Sequence, residues 1–384
     1  MVTVPSQTVC ARVTEGGYGP RMKTWLLIGT LAATGLVASC KKHEGGESAD
    51  KMAEGTTATK ESHASGSVTL NGTGSSFQNP FQEVAIDGFT KANPGVKVNY
   101  GAGGSGKGRQ DFADMVTDYG CADAPYKDAD AEKKAKGGDF LYVPVLLGAI
   151  TVSYNVDGVD KLQLSPETIA KIFQRDIKQW NDPAIAADNP DVKLPDLAIT
   201  VAHRSDGSGT TEQFTKFLDV AAGVAWKLKS GPTVEWAADT QGGNGNHGVA
   251  QIVTSTKGAI GYVDLPDAKA SSLKFASIKN PAGKFVAPSS ESAQAAGDGI
   301  DVKDNLTFTA VNAKGDASYP ITAPSWCMVY TKQTDKAKGA ALKSYFKYMV
   351  TDGQALIPSI DFAPLPKSLQ DKVVAQLDKI QIPS

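Results

Sequence analysis

Short alternations of apolar and polar residues recur along this chain, and most lead into a glycine-rich loop followed by a helical spacing of apolar residues. Val68-Thr69-Leu70-Asn71 predicts a strand, Gly72-Thr73-Gly74-Ser75-Ser76-Phe77 a loop, and residues from about 80 to 92 a helix closed by Asn93-Pro94-Gly95. Val96-Lys97-Val98-Asn99-Tyr100 alternates as a second strand. A loop at 101–108 and a helix at about 109–118 are expected after it. Gly120-Cys121-Ala122-Asp123-Ala124-Pro125 reads as a short buried strand that stops at the proline. Residues 142–155 are strongly apolar and predict one long strand.

The second half repeats the style. Ser165 and Pro166 suit the cap and first position of a helix that continues through Ile169, Ile172 and Phe173, and Trp180-Asn181-Asp182-Pro183 suits a turn. Residues 197–202 alternate as a strand, and Glu212-Gln213-Phe214-Thr215-Lys216-Phe217-Leu218 opens an amphipathic helix. A glycine-rich loop at 242–248, a helix at 249–255 and a strand at 257–263 follow. Residues 282–299 are polar with one short helix, 305–310 fit either a helix or a strand, 321–331 a strand, and 340–349 and about 368–380 helices. No internal sequence repeat stands out. Strand, loop and helix in repeated succession predict an α/β fold with a mainly parallel sheet. Ligands of such sheets bind beyond the carboxyl ends of the strands, where these loops would gather.

The chain has 384 residues and a net charge of −2, enough for two lobes with proper cores. The balanced charge gives no reason to expect nucleic-acid binding. Arg21-Met22-Lys23 is a basic start, and the apolar run at 25–38 is short for a membrane span. Leu36-Val37-Ala38-Ser39-Cys40 resembles the end of a bacterial lipoprotein signal, which implies cleavage before Cys40 and a lipid anchor on it; Met22 would make a more conventional start than Met1. Residues 41–66 are polar and charged and predict a flexible tether, with His43 and His63 solvated. Cys121 and Cys327 remain after Cys10 and Cys40 are assigned to the leader and anchor. In an exported protein they could pair; their place inside apolar or alanine-rich strand patterns favours buried thiols.

Candidate chemistry centres on His203-Arg204-Ser205-Asp206-Gly207-Ser208-Gly209-Thr210-Thr211, between a strand end and a helix start. The first turn of a helix offers unpaired N–H groups and partial positive charge to an anion. Arg204 adds a planar fork that Asp206 could orient, and Ser208, Thr210 and Thr211 add hydroxyls. Alone, the segment is equally an ordinary capped helix. Ser75, Ser76 and Ser105 in other loops add further donors, and Asp123 adds a carboxylate. Donors with a single Arg suit an oxyanion held by charge-assisted hydrogen bonds. A carboxylate facing that anion is tolerable only if the anion brings a proton, as phosphate does and sulfate at neutral pH does not. Asp123 otherwise reads as a turn cap before Pro125. With four His in all, His203 and His247 lie apart without ligand spacing, and no Gly-x-Ser-x-Gly elbow has a matching His. No catalytic residue, metal or cofactor is expected.

Several segments, taken in order, resemble the phosphate-binding proteins of bacterial phosphate ABC transporters, the PstS family. They are Gly72-Thr73-Gly74-Ser75-Ser76-Phe77, Gly104-Ser105-Gly106, Ala122-Asp123-Ala124-Pro125, Lys178-Gln179-Trp180-Asn181-Asp182-Pro183, Arg204-Ser205-Asp206-Gly207-Ser208-Gly209-Thr210, Gly245-Asn246-His247-Gly248-Val249 and Gly258-Ala259-Ile260-Gly261-Tyr262. The resemblance implies a type II periplasmic binding protein, with two α/β lobes joined by a two-strand hinge and the ligand cleft between them. It implies a leader at 1–39, the lipidated Cys40 and tether at 40–66, one lobe from 67–155 and 320–384, and the other from 156–319. The implied phosphate ligands are Ser76, Phe77, Ser105, Asp123, Arg204, Ser208, Gly209 and Thr210, with Asp206 bracing Arg204. Expected partners are inorganic phosphate, the permease subunits of an ABC transporter and, through the anchor, the membrane of the cell envelope, with the protein a monomer. Another tetrahedral oxyanion, or phosphate sensing without transport, is the alternative reading.

Overall fold

The computed structural model describes residues 67–127 and 135–384. The expected leader, tether and lipid-bearing Cys40 lie outside the described residues. The first half runs β1 (Val68–Gly74), α1 (Asn79–Ala92), β2 (Val96–Gly101), α2 (Ser105–Ala113), β3 (Tyr119–Ala122) and β4 (Phe140–Tyr154). Then come β5 (Gln163–Leu164), α3 (Pro166–Phe173), α4 (Pro183–Asp188), β6 (Thr200–Arg204), α5 (Gly209–Ala221), β7 (Gln241–Gly243), α6 (Gly245–Ser255) and β8 (Ala259–Asp264). The chain closes with α7 (Leu265–Ala270), β9 (Lys274–Phe275), β10 (Ser277–Lys279), β11 (Phe285–Val286), α8 (Ser290–Gly297), β12 (Thr322–Tyr330), α9 (Lys336–Val350) and α10 (Lys367–Leu377).

A nine-stranded sheet has the order β2-β1-β3-β12-β4-β8-β6-β7, with β9 beside β4. Strands β1, β2 and β3 are mutually parallel, as are β6, β7 and β8. The middle is antiparallel: β12 pairs with β3 and β4, and β4 with β8. The long strand β4 gives its first part, to Ala149, to β12 and its last part, from Ile150, to β8. Every residue of β12, and all of β4 after Phe140, is buried. This is the unbroken apolar run expected of strands covered on both faces.

The two ends of the sheet share one plan. In each, a strand leads through a loop to a helix, a neighbouring strand, a second helix and a third strand. The orders are β2-β1-β3 and β7-β6-β8, so strand order reverses beside β1 and beside β6. Such switch points leave a crevice at the carboxyl ends of the strands. The fold thus contains a repeat that the sequence does not display.

Three helices start earlier than their composition predicts. They begin at Ser105, Gly209 and Gly245 rather than near 109, 212 and 249. Glycine and serine disfavour helix interiors, so these segments read as loop. First-turn residues need no intrahelical acceptor for their N–H groups, so the penalty is small there and the surroundings decide. Residues 305–310 form no helix or strand. The cap at Ser165 is as expected, its Oγ accepting from Thr168 N at 3.4 Å. Cys121 and Cys327 are buried and are direct partners across β3 and β12.

Candidate functional site

Asp123 follows β3 and is 1% exposed. Its Oδ1 accepts from Ser75 Oγ and from Ser325 Oγ, both at 2.6 Å. Its Oδ2 accepts from Ser105 Oγ at 3.1 Å. Ser75 comes from the loop after β1 and Ser105 from the first position of α2. Ser325 lies beside a register shift in β12. Gln78 Nε2 donates to Ser325 Oγ at 2.9 Å and holds it in turn. Burial pushes the Asp123 carboxyl up; the hydroxyls of Ser325, Ser75 and Ser105 and the charge of Arg204 offset this only in part, so it stays above the usual carboxylate range. Oδ2, with one long bond, keeps acceptor capacity for another donor.

Arg204 ends β6 and is 4% exposed. Asp206 takes its fork side-on, with Nε to Oδ1 at 2.7 Å and Nη2 to Oδ2 at 2.5 Å. Nη1 donates to Asn246 Oδ1 at 2.8 Å and lies 3.5 Å from Thr210 Oγ1. Burial raises the Asp206 carboxyl, but the hydrogen bond and charge of Arg204 outweigh it and hold it below the usual range. The pair is therefore fixed and charged. Ser208 caps α5, its Oγ accepting from Thr211 N at 3.1 Å. The Gly209 and Thr210 amides head the helix, where no intrahelical acceptor exists for them. Tyr262 Oη accepts from Arg204 N at 3.1 Å and shares a hydrogen bond with Thr211 Oγ1 at 2.7 Å. This locks the end of β6 to the start of α5.

The two ends of the sheet meet here. Gly106 N donates to Gly207 O at 2.8 Å, and Gln213 Nε2 donates to Asp123 O at 2.5 Å. Asn246 N donates to Ser76 Oγ at 3.3 Å, and Arg109 Nη2 lies 3.3 Å from Glu212 Oε2. A Cβ on Gly209 would collide with Ser105 Oγ and Asp123 Oδ2, so only glycine lets the helix start approach the carboxylate. Gly104, with φ 89°, caps α2, and a Cβ there would strike Asp206. Beside these contacts a cavity of about 660 Å³ opens between Ser76, Glu83, Asn246, His247 and Asp267.

Ser76, Ser105, Asp123, Arg204, Asp206, Ser208, Gly209 and Thr210 are thus gathered at one seam. Phe77 is there as well, but its N–H already donates to Ser75 Oγ at 3.0 Å and its buried ring packs on Phe362. Sequence reading assigned no part to Ser325, Gln213, Asn246 or Tyr262. A signal existed for Ser325, a serine in a mostly apolar strand, and Asn246 stands in the glycine-rich segment at 242–248. His203 lies apart, stacked on Trp236 at 5.0 Å with Nδ1 2.9 Å from Arg204 O. Among the described residues no group of three or more His, Cys, Asp or Glu is arranged to hold a metal. The chemistry on offer is a ring of hydroxyl and amide donors, one braced guanidinium and one buried carboxylate.

Residues 57–353 match the PBP superfamily domain. Phosphate-binding protein PstS of Pasteurella multocida is 37% identical over 314 residues, 80% of this chain and 89% of that protein. Phosphate-binding protein PstS of Xylella fastidiosa is 34% identical over 346 residues, 88% and 93% of the two chains. Among solved structures, a high affinity periplasmic phosphate-binding protein (PfluDING) bound with phosphate superposes with a TM-score of 0.67 at 20% identity, covering 80% of this chain and 93% of that one. A putative phosphate ABC transporter substrate-binding protein from Clostridium perfringens gives 0.58 at 16% identity, with 78% and 100% coverage. At those identities the structures speak for the fold alone, which is the type II fold of periplasmic binding proteins. Within that class, the chain belongs to the PstS family of phosphate-binding proteins.

Proposed function

We propose that this protein captures inorganic phosphate and delivers it to the permease subunits of an ABC transporter for import. The observation that carries this reading is the buried Asp123 carboxylate, whose Oδ2 faces the start of α5 with acceptor capacity to spare. An anion held there by Arg204 and the first-turn amides must bring a proton to Asp123, and phosphate species do. Ser76, Ser105, Ser208, Gly209 and Thr210 donate to it, Asp206 braces Arg204, and Phe77 N joins by leaving Ser75 Oγ. The names of the PstS relatives support the same ligand.

The lobes in this reading are 67–155 with 320–384, and 156–319. Support for two crossings comes from β4, which changes partner between Ala149 and Ile150, a little before the 155/156 boundary, and from Ile150 N, which donates to Ile321 O at 2.9 Å where the chain returns. Those two crossings serve as the hinge. The protein works as a binding protein rather than an enzyme, as a monomer, held to the cell envelope by lipid on Cys40. No helix among the described residues is long and apolar enough to cross a membrane. Calorimetry of the ligand-stripped protein tests the central claim: phosphate is expected to bind at one site per chain, and absence of saturable phosphate binding would refute it.

A further inference from the structure

Cys121 and Cys327 stand 206 positions apart in sequence, yet they are direct partners in the antiparallel ladder of β3 and β12. Their Sγ atoms are 2.6 Å apart, and both side chains are fully buried. Directly opposed antiparallel residues hold their Cα atoms about 4.5–5.5 Å apart, inside the roughly 4.4–6.8 Å that a disulfide spans. Unbonded sulfurs do not rest at such a separation, since even the smaller carbon atoms settle about 3.5–4.0 Å apart. The strand pairing thus holds the two sulfurs closer to bonding than to contact distance. Gln82 Nε2 lies 3.6 Å from each sulfur, and Gln78 Oε1 lies 3.6 Å from Cys327 Sγ. No metal-holding group includes them among the described residues.

We propose that Cys121 and Cys327 form a disulfide that staples β12 to β3. The staple lies next to the acid end of the site. Cys121 is two residues before Asp123 and Cys327 two residues after Ser325, whose hydroxyl donates to that carboxylate. It therefore ties the returning segment, which supplies Ser325, to the strand that supplies Asp123. The oxidant is a protein or small-molecule disulfide. One Cys thiolate attacks it, forming a mixed disulfide and expelling a thiol. The second thiolate then attacks the Cys sulfur of that mixed disulfide, the Sγ–Sγ bond forms and a second thiol leaves. Two protons and two electrons pass from the chain to the oxidant. Burial pushes the Cys121 thiol well up, so thiolate is scarce once the chain is folded. The bond accordingly forms while β12 is still docking. Formation in the cell rests on the export reading above, because cytosolic thiols are kept reduced.

The test uses full-length protein isolated from the cell envelope, denatured in a thiol-alkylating reagent with and without prior reduction, then digested and weighed. The expected result is no alkylation at either residue before reduction, a linked peptide pair, and alkylation of both after it. Alkylation of either residue without reduction overturns the proposal. Fractionation of the cells reads export separately. If the chain stays in the cytosol, the export reading fails, and the purified chain is refolded in oxidised and reduced glutathione. A linked pair then supports the bond, and two free thiols overturn it. As a second readout, the urea midpoint of the oxidised protein is expected to fall on reduction; an unchanged midpoint refutes a staple.

Discussion

The two ends of the sheet are alike in topology and opposite in chemistry. Each closes its third strand with an aspartate, Asp123 just after β3 and Asp264 at the end of β8. Both are buried, and burial pushes both carboxyls up. Asp123 is surrounded by the hydroxyls of Ser75, Ser105 and Ser325. Asp264 accepts from Asn246 Nδ2 at 2.5 Å and from Asp267 N at 2.8 Å, and Asn246 in turn accepts from Arg204. A side-chain amide, itself held by a guanidinium, therefore covers the second aspartate, while small hydroxyls leave the first one facing the seam. On the proposed reading, one lobe meets the charge of the anion and the other meets its proton. Specificity then lies in what each lobe leaves uncovered, since the frames are the same.

Removing the positive side should cost most. Arg204→Ala strands Asp206 and Asn246 and takes away the guanidinium that Asp206 braces at the start of α5. Losing one partner of a buried pair costs about 3–5 kcal/mol, and a loss of that size in binding would lower phosphate affinity by calorimetry about 150- to 5,000-fold. Arg204→Lys should recover only part of it, because an ammonium cannot make the side-on pair.

Acidification should blur the contrast between the lobes. Asp123 has a raised folded value, so it takes up a proton as pH falls through a point above the usual carboxylate range. Protonated, it donates, and sulfate affinity should rise over that same interval. The linked effect on the ligand-free fold has a definite sign. Native protein binds this proton more tightly than the unfolded chain does. The contribution of Asp123 to stability is thus complete below its unfolded value of about 3.9 and is lost as pH rises through the folded value. Sulfate titrations at stepped pH check the first statement, and urea midpoints of wild type against Asp123→Asn check the second.

Ser325→Ala trims the first lobe by one hydroxyl and leaves Gln78 Nε2 short of a partner. One net hydrogen bond is worth about 0.5–1.5 kcal/mol, so phosphate should bind about 3- to 10-fold more weakly. The smallest effect belongs to Lys269→Ala. Lys269 pairs with Asp361 at 2.5 Å, but the two side chains are 47% and 35% exposed. Exposed pairs contribute about 0–1 kcal/mol. The change in phosphate affinity should stay within about 5-fold and vanish at high salt.

Much of this arrangement was legible in the sequence because the alternation of strand, glycine-rich loop and helix is itself a periodic signal. The strand ends, turns and helix starts within 72–77, 101–108 and 203–211 gather where that alternation puts them. Helix starts at Ser105, Gly209 and Gly245 were not legible, since glycine and serine in a first turn look like loop until the packing around them is known. Nor was the shared plan of the two sheet ends. Ser75-Ser76-Phe77 and Ser208-Gly209-Thr210 occupy corresponding loops with little in common but a hydroxyl. The parts played by Ser325, Gln213 and Asn246 depend on tertiary contacts 202, 90 and 42 positions away. No local pattern carries such pairings. Cys121 and Cys327 had the same difficulty: each looks like a core residue in its own strand, and only the ladder sets them face to face.

The most direct test of the division between the lobes is calorimetry of ligand-stripped wild type and Asp123→Asn with phosphate and with sulfate at neutral pH. Wild type should bind phosphate and give no resolvable heat with sulfate, while Asp123→Asn should admit sulfate and narrow the preference by about 100-fold or more, in line with the roughly 1.5–3 kcal/mol of a charged hydrogen bond plus the repulsion removed. Tight sulfate binding to the wild type, or an unchanged preference in Asp123→Asn, would contradict the assignment of Asp123 as the acceptor of the ligand's proton.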